Sequence, residues 1–289
     1  MAPPLPVCYL NGGYLPLADA RISPLDRGFL FADAVYEVMP VYGGRPFRFT
    51  EHFARLRHSL AAIHLREPLN DAGWREMTRQ LVARNGGADL YIYLQVSRGA
   101  DVGRNPAPLP DLRTVFAFCG LWPVQPASVA RDGIAGITAP DPRWARCDIK
   151  SVGLLPNILL RQAAVDAGAG ETLMLREGFL TEATSATAHV VVDGVLLTPP
   201  ESMQILPGTT RNVIELLADQ IRLPRQTTAI SDARLRTADE ILISSALREV
   251  LPVTRLDGKA VGAGMPGPVW RRLRTAFDRY KQSLASELW

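Results

Sequence analysis

Lys150 ends the run Asp141-Pro-Arg-Trp-Ala-Arg-Cys-Asp-Ile-Lys150, where most neighbouring side chains are charged. Burying an ammonium is costly, so a lysine set within a fold calls for a reason. One reason is chemical. Desolvation favours the neutral amine, and the neutral amine is the nucleophile that forms a Schiff base. Lysine is scarce here, standing only at positions 150, 259 and 281 among 32 Lys and Arg residues. Taken alone, Lys150 fits better as a stem snorkelling from a strand end. Strand alternation would place it on one face with Asp148 and Arg146, opposite Cys147 and Ile149.

Four other features could serve such an amine. The stretch Thr181-Glu-Ala-Thr-Ser-Ala-Thr187 sets one carboxylate, Glu182, among small hydroxyls. A carboxylate can keep a pyridine nitrogen protonated and so make the ring an electron sink, although the stretch is equally a polar turn between strands. Leu206-Pro-Gly-Thr-Thr-Arg211 precedes an apolar helical pattern. The free N–H groups of a helix start, joined by Thr209 and Thr210, would cradle an anion, or simply cap a helix. Arg55 lies off its helix's apolar stripe, as a solvated residue or a phosphate ligand. Tyr36 alternates with Ala34 and Val38, which makes core packing its default. Together a lysine, a carboxylate, a phosphate cradle and an arginine are the parts of a pyridoxal-phosphate site.

The elements that must hold these groups are legible in outline. Asn11-Gly-Gly13 and Gly43-Gly44 each separate two apolar runs, a hairpin signal. Thr50 is expected to cap a helix with Phe53, Leu56, Leu60 and Ile63 on one stripe. A second helix is expected over 71–84 and strands over 89–97 and 114–119, the last two separated by a Pro-rich loop, 98–111. The stretch 121–126 reads as a linker between a small N-terminal α+β domain, 1–120, and a larger cofactor-binding α+β domain, 127–289. In the latter, helices are expected over 156–167, from about 209 and over 266–285. Short strands are expected at 171–176, 179–181, 188–193, 195–197, 240–244 and 250–255. The lack of regular βαβ alternation argues α+β rather than a doubly wound sheet.

Composition narrows the function classes. The 289 residues are 47% hydrophobic and 21% charged with a net charge of +3, which gives no electrostatic case for nucleic acid. No apolar run approaches the roughly 20 residues of a membrane span, and the N-terminus has no signal-peptide pattern. Three cysteines without C-x-x-C spacing read as reduced thiols of a cytoplasmic protein. His52, His58, His64 and His189 lack metal-ligand spacing, and the first three are expected at solvent-exposed positions. Phosphate-loop, dinucleotide-fingerprint, nucleophile-elbow and zinc-protease motifs are all absent.

The chain resembles the fold-type IV pyridoxal-phosphate enzymes, and among them the bacterial D-amino-acid transaminases. The resemblance rests on Asp26-Arg-Gly-Phe-Leu-Phe-Ala-Asp-Ala-Val-Tyr-Glu-Val38, Glu51-His-Phe-Ala-Arg-Leu56, Arg143-Trp-Ala-Arg-Cys-Asp-Ile-Lys150, Leu180-Thr-Glu182 and Leu206-Pro-Gly-Thr-Thr-Arg211. It implies two α+β domains with the cofactor in the interdomain cleft, and a homodimer. It implies Lys150 as Schiff-base lysine and proton shuttle, and Glu182 on the pyridine nitrogen. Arg55, Thr209 and Thr210, with the turn Ser185, Ala186 and Thr187, would hold the cofactor's phosphate, Leu206 would pack on its ring, and Ser245 would be a further cofactor-binding residue. Tyr36, Arg98 and Arg104 would face the substrate. The implied activity is ping-pong transfer of an amino group from a D-amino acid, such as D-alanine, to a 2-keto acid, such as 2-oxoglutarate or pyruvate.

The loop Arg98-Gly-Ala-Asp-Val-Gly-Arg-Asn-Pro106 departs from that pattern. The family places an Arg-x-His pair here to trap the substrate carboxylate, whereas this chain has Arg104 and then Pro106, which has no side-chain donor. The usual asparagine after Glu182 is also absent, with Thr187 near its place, and Arg248 is an alternative source of positive charge. The same fold accommodates an (R)-amine or branched-chain L-amino-acid transaminase and an aminodeoxychorismate lyase. A cofactor-free binding protein on a degenerate scaffold is the reading from another class.

Overall fold

Residues 34–42 alternate side chains between two environments, and in the computed structural model they form a strand, β3 (Ala34–Tyr42), whose inward face is Val35, Glu37, Met39 and Val41. The structure describes residues 3–101, 103–107 and 112–283. The ends of the expected 98–111 loop and of the 266–285 helix fall partly outside them. The chain divides into two units, one of Met1–Pro123 with Ile149–Gly153, the other of Val124–Asp148 with Leu154–Glu287. Lys150 therefore groups with the first unit, not with its neighbours in sequence.

In the first unit, β1 (Pro4–Leu10), β2 (Gly13–Pro16), β4 (Arg45–Pro46), β5 (Leu90–Ser97) and β6 (Thr114–Leu121) join β3 in an antiparallel sheet ordered β2-β1-β6-β5-β3-β4. Both expected hairpins are present. A short helix, α1 (Arg27–Phe31), is capped by Asp26, and two longer ones follow, α2 (Phe49–Ala62) and α3 (Asp71–Arg84). Phe53, Leu56 and Leu60 of α2 pack with Trp74, Met77 and Leu81 of α3 against the inward residues of β3 and β5. Each such fully buried side chain contributes about 1.5–3 kcal/mol of transfer free energy. The expected Thr50 cap is corrected: the N-cap is Arg48, at φ 55°, and Thr50 lies within the first turn. Phe49 is drawn into the helix because its ring packs on Phe53, with centroids 4.4 Å apart.

The second unit comprises α4 (Ala127–Asp132), β7 (Ile134–Pro140), α5 (Leu155–Asp166), β8 (Glu171–Arg176), β9 (Phe179–Ala183), β10 (Thr187–Val192), β11 (Val195–Thr198), α6 (Thr209–Gln220), β12 (Arg225–Thr227), α7 (Asp232–Arg236), β13 (Glu240–Ser245), β14 (Glu249–Leu256), β15 (Lys259–Ala260) and α8 (Pro268–Ser283). Its mixed sheet runs β12-β11-β10-β13-β14-β7-β8-β9, with β15 on β14. The pairs β14–β7, β7–β8 and β11–β12 are parallel. Leu173, Ala188, Val190, Ile241, Ile243 and Val253 build its core. The segment linking β7 to α5 carries Lys150, and it is irregular rather than the strand expected of 141–150. Asp141 and Arg143 pair through their side chains across two residues, as do Arg146 and Asp148.

Candidate active site

Lys150 is half-buried and its backbone is pinned on both sides. Its N–H donates to Ser59 Oγ of α2 at 3.1 Å, and its carbonyl accepts from Tyr36 N–H at 3.0 Å. Val152 N–H donates to the Ala34 carbonyl at 3.1 Å, so residues 150–152 lie along the start of β3. The Lys150 ammonium sits 4.3 Å from the centroid of the Tyr36 ring, which in turn stacks on Tyr93 at 5.7 Å. A cation over an aromatic face is held electrostatically, so Tyr36 sets where the amine rests. The expectation that Tyr36 packs in the core is corrected. Neighbouring Val35 and Glu37 take the inward face, which leaves Tyr36 half-buried on the face shared with Val38.

The inward carboxylate is Glu37. Arg55 Nε donates to its Oε1 and Arg55 Nη2 to its Oε2, both at 2.8 Å, and His52 Nδ1 lies 2.7 Å from Oε2. Burial alone would raise the Glu37 carboxyl, but Arg55 and His52 hold it down at about 2. Arg55 is thus buried on a carboxylate rather than solvated. His52 is 1% exposed, which corrects its expected place at the surface, whereas His58 and His64 are exposed. Burial pushes the His52 imidazole below its ordinary value, against the pull of Glu37.

In the second unit Glu182, near the end of β9, is 5% exposed. Arg143 Nη1 donates to its Oε1, and the Leu206 N–H approaches the same oxygen at 3.4 Å. Among the described residues both donors converge on Oε1, so Oε2 remains to accept from another donor. Asp141 takes Arg143 Nε and Nη2 at 2.9 and 2.8 Å and accepts from Thr181 Oγ1 at 2.9 Å, which aims the guanidinium at Glu182. Burial raises the Glu182 carboxyl above its ordinary value, and Arg143 and the Leu206 N–H offset only part of that.

Helix α6 begins at Thr209, with Gly208 as N-cap and no side-chain cap hydrogen bond. A Cβ on Gly208 would lie 2.7 Å from Thr187 Oγ1, so the bare glycine lets Thr187 close on the helix start. Thr187, Thr209 and Thr210 are buried, Ala186 is 7% exposed, Ser185 is exposed, and Leu206 and Ser245 are half-buried. Buried N–H and hydroxyl donors at a helix N-terminus suit a phosphate. Arg211, adjacent, is committed to Glu215 and the Pro199 carbonyl and serves the fold.

The substrate-side arginines differ. Arg98 is engaged by Asp33 through Nε at 2.8 Å and Nη2 at 3.1 Å, and Nη2 also donates to the Ile63 carbonyl at 2.7 Å. Two of its three guanidinium nitrogens are thus engaged inside the unit. Arg104 is exposed, its guanidinium 5.0 Å from the Phe31 ring centroid. Arg248 donates to the fully buried Glu171 at 2.7 Å, so its charge is neutralised there. Sequence reasoning missed Glu37, Arg143, Asp141 and Ser59. Glu37 carried a signal, a carboxylate in phase with Val35 and Met39 on an apolar strand.

Residues 34–256 match the model of the amino-transferase class IV family. The chain belongs to that family. Class IV aminotransferases use pyridoxal phosphate, and this aminotransferase has that cofactor. It is 36% identical over 275 residues to the D-alanine aminotransferase of Staphylococcus aureus strain MSSA476, covering 95% of this chain and 98% of the relative. It is 36% identical over 271 residues to the D-alanine aminotransferase of Bacillus licheniformis, covering 93% and 94%. The class IV fold is also that of the branched-chain amino acid aminotransferase from Escherichia coli, which superposes with a TM-score of 0.87 at 26% identity and covers 95% of this chain and 93% of that one. The mixed α+β architecture expected of this aminotransferase is the one observed. Among the described residues no helix is long and apolar enough to cross a membrane, and no group of three or more His, Cys, Asp or Glu is placed to hold a metal ion.

Proposed function

We propose that this aminotransferase moves the amino group of a D-amino acid, with D-alanine as the type donor, to a 2-keto acid such as 2-oxoglutarate or pyruvate. The observation that carries the reading is 36% identity to D-alanine aminotransferases across 95% of the chain. The residues fit pyridoxal phosphate: an amine held over an aromatic ring, a buried carboxylate with one oxygen to spare, and a donor-rich helix start that a single Cβ would crowd. When bound, the cofactor supplies a carbonyl carbon for the amine and a ring that accepts electrons from the substrate Cα.

The chain's own residues do the rest. Lys150 would supply the amine that holds the cofactor and would carry the proton to and from the substrate Cα as general base and acid. Tyr36 keeps the Lys150 Nζ in place during that exchange. Glu182 would accept a hydrogen bond from the cofactor's ring nitrogen, with Arg143 opposing the effect of burial on that carboxyl. The α6 start, with Thr209, Thr210 and the Ser185–Thr187 turn, binds the phosphate. Ser245 and Leu206 would border the bound cofactor, and Arg55 would be a further ligand for its phosphate. Arg104 meets the substrate carboxylate.

Two coarser features accompany the reading. The chain works as a homodimer, which the exposed Leu155, Ile158 and Leu159 of α5, each at least 60% exposed, support as a face for a second copy. It works in the cytoplasm, which three free buried cysteines suit. The likeness to a branched-chain aminotransferase, with Pro106 in place of a histidine, favours a second reading, a branched-chain or (R)-amine transaminase. Visible spectra of the purified holoenzyme before and after adding D-alanine, L-leucine or (R)-1-phenylethylamine separate them. Conversion by D-alanine and reversal by 2-oxoglutarate is the expected result. No conversion by D-alanine sinks the proposal, and conversion by one of the other donors alone establishes the second reading.

A further inference from the structure

We infer that Arg27 is the positioning residue for Arg104, holding the backbone on either side of it at Gly99 and at Asn105 and Pro106. The inference rests on the transaminase reading, in which Arg104 meets the substrate carboxylate. Arg27 is 5% exposed, and its backbone N–H and both Nη groups are turned to this loop. Its backbone N–H donates to the Gly99 carbonyl at 2.9 Å, at the loop's start. Its Nη1 donates to the Asn105 carbonyl and its Nη2 to the Pro106 carbonyl, the latter at 3.2 Å, just past Arg104. Its Nε donates to Asp33 at 2.9 Å, the carboxylate that also holds Arg98. Two arginines on one carboxylate leave the Arg27 fork only one orientation, toward the loop.

The start of the loop is equally fixed. Asp26 accepts from Ser97 Oγ at 2.9 Å and Thr114 Oγ1 at 2.7 Å, tying α1 to the strands on either side. Gly99 has φ +87°, and a Cβ there would overlap the Leu112 carbonyl oxygen, so the chain passes where a side chain cannot. Phe31 completes the clamp: Arg27 and Arg104 both stand against its ring, at 4.8 and 5.0 Å from the centroid. Pro106 lacks a side-chain donor, but its carbonyl is the acceptor that Arg27 uses. The loop is thus held through its backbone, which sets where Arg104 projects without needing a second polar side chain.

The test has two arms on the holoenzyme. Hydrogen–deuterium exchange of the peptide covering 99–107 should quicken about tenfold or more in Arg27→Ala, the opening of one local unit. In steady-state kinetics with D-alanine, Arg27→Ala should raise KM about tenfold while kcat changes less than about threefold, the pattern of lost ground-state binding. Arg27→Lys keeps the charge but cannot reach two carbonyls and Asp33 together, so it should behave as the alanine variant does. The Arg27→Ala, Arg104→Ala double variant should be no worse than Arg104→Ala alone. Unchanged exchange, rescue by lysine or multiplying losses in the double variant overturns the clamp. Should Arg27→Ala fail to fold, Arg27→Lys and Asp33→Asn carry the same readouts. A wild type inert toward D-alanine would overturn the transaminase reading, while the exchange arm would still decide the clamp.

Discussion

Glu37 grips Arg55 with both oxygens, each 2.8 Å from a guanidinium nitrogen, inside the first unit's core. His52 takes the remaining lone pair of Oε2. Neutralising a buried partner leaves the other charge uncompensated, which costs about 3–5 kcal/mol. Glu37→Gln should therefore lose about 3 kcal/mol in urea denaturation at pH 7, and a loss below about 1 kcal/mol would contradict the buried pair.

Glu182 and Arg143 should separate in a pH–rate profile. Burial raises the Glu182 carboxyl, and Arg143 is the main opposing charge. Replacing Arg143 with Gln removes that opposition, so Glu182 stays protonated to higher pH. The acidic limb of kcat against pH should move upward, by about one unit or more. An acidic limb that stays put or moves down means that the ionisation of Glu182 does not control it.

Gly208→Ala should weaken cofactor uptake. The added Cβ would press on Thr187 Oγ1 from 2.7 Å, and either the hydroxyl or the start of α6 must shift. Titration of the cofactor-free protein with pyridoxal phosphate should show about tenfold weaker binding, or about 1.4 kcal/mol. Unaltered affinity would mean that the helix start does not hold the phosphate.

His189 makes the second unit acid-sensitive. It is fully buried between Thr198 Oγ1 at 2.8 Å and Ser244 Oγ at 2.9 Å, and burial, with the charge of Arg211, pushes its imidazole down to about 3. The unfolded chain binds the His189 proton near pH 6.5 while the folded one does not until about 3. Its stabilisation is thus full above about pH 6.5 and falls by about 1.4 kcal/mol per unit as pH drops toward 3. Denaturation midpoints of wild type and His189→Gln between pH 7 and 4 should converge, with the variant less steep. Parallel curves would rule His189 out.

The sequence carried most of the secondary structure because apolar periodicity is local. The stripe Phe53, Leu56, Leu60 and the span Asp71–Arg84 stand as expected. Lys150, Glu182 and the Thr209-Thr210 helix start were legible as residue types near turns and ends. What was not legible depended on partners far along the chain. The ion pair of Arg98 with Asp33, 65 residues earlier, leaves no mark in the local sequence. His52 looked exposed because its helix face is polar, until Glu37 across β3 supplies the partner that lets it be buried. The run 141–150 alternates like a strand, yet its charges pair along the chain instead of across a ladder.

The pairing of residues 150–152 with the start of β3 bears on how the chain is made. Ser151 bridges Val35, so the outer edge of β3 there is covered by a segment synthesised on the order of a hundred residues later. On the ribosome the first unit emerges with that edge bare, and an uncovered strand edge is a site for wrong pairing. Arrival of Lys150 closes it. The proposed Schiff-base lysine thus sits beside the residue that covers this edge, and a nascent chain stopped at Pro123 would lack both Lys150 and the cover for β3.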